Sequence, residues 1–274
     1  MIVVEATPPP RLPVRNKTAA NERTHGGLSP MLTRLAAERA TGVLIRELGT
    51  LYLAEGRVVH AESPLAPGLD VLLTAHGTLD AETWRAAADG AGDQLGAGRL
   101  LLDTHRLAQG ALELCHLGAL YDAAYFALAP SSTPGRFRYG TAHWLGPIHP
   151  VPVAALERET LRRRALLQRI WPDPLTDRAP LTRAAAVAAP PVPPRQQAVL
   201  ALVDGARTAA DIARRLGRRA FPTLVDVRRL AAAGLVSPHA PPPAPAPAPR
   251  SPLPDVTDPD ITLLKRLRDA LEAL

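Results

Sequence analysis

The amino-acid sequence predicts a mixed α+β chain with two folded parts and unstructured tails. Three observations carry that expectation. Between residues 28 and 150, apolar residues at helical spacing alternate with short β-rich runs joined by glycine turns. Between residues 195 and 237, three short helical patterns end in a strand. Proline-rich stretches separate and follow these regions.

Residues 1–27 are polar, with Pro8-Pro9-Pro10 and no periodicity, and are expected to be a disordered tail. Ser29 is placed to cap a helix and Pro30 suits its first position. Met31, Leu32, Leu35 and Ala36 then follow at helical spacing. Val43-Leu44-Ile45 and Thr50-Leu51-Tyr52-Leu53 read as strands, and Glu55-Gly56 as a tight turn into Arg57-Val58-Val59-His60-Ala61. A short helix from Leu69 to His76 stops at Gly77, and Asp80 caps another through Trp84 to Ala88. Gly90 to Gly98 is glycine-rich and reads as a flexible inter-helix loop. A long helix is predicted from about His105 to Leu128, its inner face made by Leu107, Ala111, Leu114, Leu117, Leu120, Ala124 and Leu128. Arg136-Phe137-Arg138-Tyr139 reads as a closing strand that completes a domain spanning 28–150.

A charged connecting helix is expected within 151–172, ending at Trp171-Pro172, and a proline-rich linker over 173–194. The second domain, 195–237, has helices at Gln196 to Val203, Ala209 to Leu216 with Thr208 as cap, and Phe221 to Ala233, closed by Gly234-Leu235-Val236. Residues 238–257 form a Pro/Ala spacer that should be stiff and extended. Residues 258–274 read as an amphipathic helix with Asp258 as cap and Pro259 at its first position.

Composition narrows the function classes. A chain of 274 residues accommodates one or two ordinary domains, and 46% hydrophobic content is enough for a core. The single cysteine, Cys115, allows neither an internal disulfide nor a cysteine-based zinc site. The start lacks the basic-then-apolar order of a signal peptide, and no uncharged apolar run approaches the roughly 20 residues of a membrane span. A cytoplasmic protein with no membrane partner is expected. The net charge of +6 is unevenly spread: residues 195–237 hold eight arginines and three aspartates. An anionic partner should meet that region.

No phosphate-binding P-loop, dinucleotide fingerprint, zinc-protease helix or nucleophile elbow is present in the sequence. Cys115 and His116 are helix neighbours whose side chains point about 100° apart, so they cannot work as a thiolate–imidazole pair. His60 stands beside Glu62, with His76 and Glu82 as the near candidates for a third metal ligand; a strand histidine held by a local hydrogen bond is the expectation. His143 and His149 flank Trp144 with no acid or thiol nearby in sequence. The chain is therefore expected to be no enzyme and to need neither metal nor cofactor.

The stretch from Leu28 to Tyr139 resembles the PATAN (PatA N-terminal) domain family. The resemblance rests on Met31-Leu32 with Leu35, Thr41-Gly42, Gly49-Thr50-Leu51-Tyr52-Leu53 and Gly56-Arg57-Val58-Val59-His60-Ala61. It continues through Leu72-Leu73, Gly77-Thr78-Leu79, Leu95-Gly96 with Leu100-Leu101, and Gly135-Arg136-Phe137-Arg138-Tyr139. It implies a role in bacterial signalling beside receiver domains or small-GTPase systems, and no catalytic residues. Helix, glycine turn, helix and short strand in 195–237 resemble the winged-helix domains of bacterial regulators.

These features predict a signalling adaptor that acts through protein contacts; the alternative is a DNA-binding transcriptional regulator. Arg214, Arg215, Arg218, Arg219 and Arg229 are the candidate phosphate contacts. At about 100° per residue the outward face of the third helix should hold Pro222, Asp226 and Arg229, a poor base-reading surface because Asp226 repels phosphate. Arg228 falls among Phe221, Leu224 and Val225 and must snorkel or pair. In the last helix Ile261, Leu264, Leu267 and Leu271 line one face, a candidate partner-docking stripe. Replacing Leu264 and Leu267 with Asp is expected to abolish partner recovery while leaving the melting temperature unchanged. A melting temperature lowered by several degrees would instead assign this helix to the protein's own core.

Overall fold

The computed structural model describes residues 28–91, 96–103, 107–184, 191–239 and 261–272. Helix α1 (Pro30–Ala37) starts as expected, with the Ser29 hydroxyl accepting the Leu32 N–H at 3.3 Å and Pro30 in the first turn. It buries Leu32 and Leu35. Strands β1 (Gly42–Arg46), β2 (Gly49–Ala54) and β3 (Arg57–Glu62) form an antiparallel meander. The β2–β3 turn places Glu55 and Gly56 at φ 49° and 73°, the left-handed pair of a tight hairpin turn. At Gly56 a side chain would also strike the Ala36 carbonyl, 2.5 Å away, so the turn closes against α1 only with glycine there.

A register shift next to Tyr52 and Leu53 sorts the residues of β3. Val58 pairs with Leu53 and Ala61 with Leu51, all buried in the core. Tyr52 pairs with His60 and Thr50 with Glu62, which places these four on the other face. An unbroken strand would have put Val58 and His60 on the same side.

Four helices follow: α2 (Leu69–Thr74), α3 (Ala81–Ala91), α4 (Ala97–Asp103) and α5 (Gln109–Ala127). Asp80 caps α3 as expected, its carboxylate accepting the Thr83 N–H at 2.7 Å. The glycine-rich stretch is less of a loop than the sequence suggests: α3 runs through Gly90 and α4 begins at Ala97, while residues 92–95 lie outside the described residues. Helix α5 packs on β2 and β3 and also on α2 and the later helix α6. Because it is covered from several sides, its burial does not follow one stripe. Leu112, Ala119, Ala123 and Phe126 are buried, whereas Leu114 is 70% exposed.

Strand β4 (Arg136–Tyr139) pairs with β1, and the two-residue β5 (Val151–Pro152) pairs with the start of β3, giving the order β4-β1-β2-β3-β5. Helix α6 (Val153–Ile170) ends at Trp171. The expected linker is partly folded. Within 173–194 lie α7 (Leu175–Arg178) and β6 (Leu181–Arg183), and residues 185–190 fall outside the described residues. Just before α7 the Asp173 carboxylate accepts the Leu175 N–H at 2.9 Å, and β6 finds its pairing partner only at the far end of the chain's next module. That module holds α8 (Pro194–Ala201), α9 (Ala209–Arg215), α10 (Ala220–Ala232) and β7 (Val236–Pro238), with β7 antiparallel to β6. Thr208 and Asp211 form a reciprocal capping box on α9.

Residues up to His239 belong to one compact unit, and Ala240–Leu274 to a second. In the first, one hydrophobic core runs from Leu32 and Leu51 through Leu120 and Leu156 to Leu224, Val227 and Val236, so it continues across the expected domain boundary. A smaller core gathers Leu69, Leu73, Leu101, Leu112 and Leu145. In the second unit, α11 (Ile261–Glu272) matches the expected final helix, although Asp258, Pro259 and the tails 1–27 and 240–257 lie outside the described residues. Among the described residues no helix is long and apolar enough to cross a membrane.

Asp122 of α5 ties the two ends of the larger core together. Its carboxylate accepts from the Arg163 guanidinium of α6 at 2.7 Å and from the Phe221 N–H at the start of α10 at 2.9 Å. Both charged side chains are nearly solvent-free, at 2% and 8% exposure. Removing one partner of a buried pair leaves an uncompensated charge, and here it also uncaps a helix. Asp122→Ala is therefore expected to destabilise the 28–239 unit by about 3–5 kcal/mol. A shift of the denaturant midpoint at constant slope would register the loss; an unchanged midpoint would contradict it.

Candidate functional site: a histidine–glutamate cluster and an arginine surface

The Tyr52–His60 and Thr50–Glu62 pairs form one wall of a site that no single stretch of sequence contains. The loop after β4 lays His143 on this face. Its ring stacks on His60 with centroids 3.9 Å apart and meets Tyr52 edge-on at 4.7 Å. His143 Nε2 lies 3.1 Å from Glu62 Oε1. From α5 comes His116, whose Nε2 sits 3.4 Å from His60 Nδ1, with the rings stacked at 5.5 Å. His60 of β3 and His143 of a loop thus meet at one carboxylate, and His116 of α5 adjoins them through His60. His76 and Glu82, the partners that sequence proximity offered, are not in this cluster.

The proton positions follow from the hydrogen bonds. The Leu145 N–H donates to His143 Nδ1 at 3.2 Å, so the ring proton of His143 is on Nε2 and is donated to Glu62. His60 and His116 share one proton between Nδ1 and Nε2. His60 turns Nε2 toward Glu62 at 3.8 Å, beyond hydrogen-bond length. Burial holds the His60 pKa well below the ordinary histidine value, and the neighbouring His143 and His116 lower it further. Burial likewise brings His116 down to about 4. For Glu62 the hydrogen bond from His143 is the main cause of a lowered pKa. Burial thus favours the uncharged form of His60 and His116 beside the Glu62 carboxylate.

His60, Glu62 and His143 offer ligand atoms within 4.8 Å of one another, the described group that could hold a metal ion. The hydrogen bonding points elsewhere. A metal-bound imidazole gives its second ring N–H to an acceptor. His143 Nδ1 instead faces the Leu145 N–H donor, which forces the proton onto the nitrogen a metal would need.

A cavity of about 370 Å³ opens beside the cluster, within the range of small-molecule sites. His60, Glu62, Asp70 and His143 give it polar lining. Trp84 and Trp144, edge-to-face at 5.6 Å, line it with Leu69, and the Trp144 ring lies 5.4 Å from that of His143. Cys115, the neighbour of His116, packs into the smaller core instead, and burial raises its thiol pKa. The two side chains diverge as helix geometry requires.

The second candidate surface is basic. Arg214, Arg215, Arg219 and Arg229 are exposed and Arg218 is half-buried. Arg218 and Arg219 share a hollow with Arg195 and Pro222, and Arg229 lines the adjoining one with Arg195. Arg214 is already engaged by Asp211 at 3.0 Å and by the Pro64 carbonyl. The expected outward face of α10 is corrected in one respect: Asp226 is buried, 3% exposed, and paired with Arg195 at 2.6 Å. Arg228 pairs as the sequence required, with Asp177 of α7 at 2.6 Å. The reason is packing: α10 touches α6, α7, α8 and α9, so little of it is left outward. Leu271 of α11 is 70% exposed; the side chains of Ile261, Leu264 and Leu267 lie outside the described residues.

The sequence carried a partial signal for the first site. His60 and Glu62 are two apart on a strand, so they share a face. Nothing local connects either to His116 or His143. Searches of family models, of curated proteins and of solved structures found no match to this chain.

The pH dependence of stability should expose the buried histidines. Their folded pKa values lie below the unfolded value of about 6.5, so below that pH the unfolded chain binds more protons. The stability is complete above pH 6.5 and is lost as pH falls toward 4; for His116 alone the difference is roughly 3 kcal/mol. Denaturant midpoints measured from pH 7 to 4 should fall steeply, and less steeply in His116→Gln. Equal slopes for the two proteins would show that His116 is not a buried neutral group.

Proposed function

We propose that this chain is a non-enzymatic regulatory adaptor. A ligand-receiving α+β part, of the PATAN kind the sequence resembles, governs the contacts that a winged-helix-like part makes with a protein partner. The observation that carries the reading is the course of α5. The middle of this helix supplies His116 to the cluster and, six residues on, Asp122 to the start of α10. Between them Gly118 lies under Arg219, whose Cδ is 2.5 Å from where a β-carbon would stand. A change at the histidine cluster therefore reaches the arginine surface through one helix and two specific contacts.

Protein contact is favoured over DNA reading by the burial of α10. Thr223, Asp226, Val227 and Arg228 are covered, so this helix offers few side chains to base edges. The exposed arginines still suit an anionic surface, and an acidic face of a signalling protein, such as the small-GTPase systems the resemblance implies, fits them. A second reading, DNA binding through phosphates, rests on the same exposed arginines and predicts a log–log salt slope of about −0.9 per phosphate neutralised.

Crosslinking in the source organism, followed by nuclease digestion, separates the two. Recovery of a defined protein after nuclease, reduced about tenfold in the Arg215→Glu, Arg219→Glu variant, is the expected outcome. Gly118→Ala should reduce that recovery with a near-normal melting temperature, because the group displaced is the flexible Arg219 side chain. Enrichment of one duplex DNA sequence, lost on nuclease treatment, would favour the regulator reading instead.

A further inference from the structure

We propose that the cavity beside the histidine cluster binds a small organic cation, an ammonium or guanidinium group seated between Glu62 and the tryptophans. The inference rests on the ligand-receiving role proposed above and names the chemistry of the ligand. Its first ground is charge. The chain has 32 lysines and arginines against 26 acidic residues, yet the described lining of this cavity contains two carboxylates, Glu62 and Asp70, and neither lysine nor arginine. His60 is buried in a stack with His143, and the Leu145 N–H donates to His143 Nδ1 and turns its Nε2 toward Glu62. An anionic ligand would meet no lysine or arginine there. A cationic one meets a carboxylate already oriented by His143.

The second ground is the aromatic lining. Trp84 and Trp144 present indole surface, which attracts a cation through its ring quadrupole and covers the apolar stem that carries it. Carboxylate together with aromatic surface is the chemistry that distinguishes an organic cation from a bare metal ion. A metal ion would gain nothing from the tryptophans, and it would need the one His143 nitrogen that carries a proton.

The test uses the full chain and four probes of one size: butylamine, butylguanidine, butanol and butyrate. Calorimetry and tryptophan fluorescence report binding, since two of the three tryptophans line the cavity. The expected result is saturable binding, one per chain, of the two cations, with butanol and butyrate at least tenfold weaker. Losing one charged hydrogen-bond partner corresponds to about ten- to a hundredfold in affinity, so Glu62→Gln should weaken the cations by that factor. Asp70→Asn, which leaves the carboxylate held by His143 in place, should weaken them less, and neither variant should alter butanol. Three outcomes overturn the proposal: no binding of either cation, butyrate binding as well as butylamine, or cation binding indifferent to both substitutions. Stoichiometric binding of Zn²⁺, lost in His60→Ala and without any cation binding, would replace it with a metal centre. Any of these leaves the crosslinking experiment untouched, because partner recovery does not depend on which ligand the cavity takes.

Discussion

The carboxylate of Asp122 is the constraint on which the arrangement of the larger unit depends. It lies in the middle of α5, out of water, and accepts from an arginine of α6 and from the free N–H end of α10. A buried carboxylate survives only if its oxygens are satisfied, so the positions of three helices are set together. Arg163 reinforces the joint: its guanidinium also binds Glu159 at 2.8 Å and stacks over the Phe221 ring at 4.5 Å. A second buried pair, Arg228 with Asp177, fixes the other side of α10 in the same manner and adds a bond to the Leu167 carbonyl. The apolar core is continuous across these helices, but apolar contact alone would tolerate sliding. The two ion pairs select one register.

Charge is segregated across the molecule in a way that gives each surface its chemistry. Exposed arginines occupy the module from α8 to α10, while the cavity beside β3 carries carboxylates, histidines and indoles. Burial disfavours the charged form of His60 and His116, the two driest members of the cluster. Helix α5 touches both surfaces, with His116 in the cluster and Gly118 beneath Arg219.

Burial also decides what the helical module can do. In a DNA-reading module the third helix stands proud so that its side chains reach a groove. Here α6 and α7 occupy the space on which that exposure depends, and Arg228 and Asp226 turn inward to partners rather than outward to solvent. The arginines that remain exposed sit on α9, at the turn and late in α10.

Much of the secondary structure was legible in the sequence, because caps, glycine turns and strand alternation are local. Ser29-Pro30, Glu55-Gly56 and Thr208 with Asp211 each act within four residues and behave as local chemistry dictates. The pairing of Arg228 was also legible, since a charge inside an apolar arc has to find a partner. What the sequence could not supply were relations between distant residues. The strand β6 looked like linker because its hydrogen-bond partner, β7, is more than fifty residues away. Asp226 looked exposed because helix periodicity knows nothing of α8 and Arg195. His143 looked solitary because its carboxylate, Glu62, stands 81 positions earlier in the chain. Periodicity states which residues share a face of one element; only the packing of elements against one another decides which faces meet, and the histidine cluster is made entirely of such meetings.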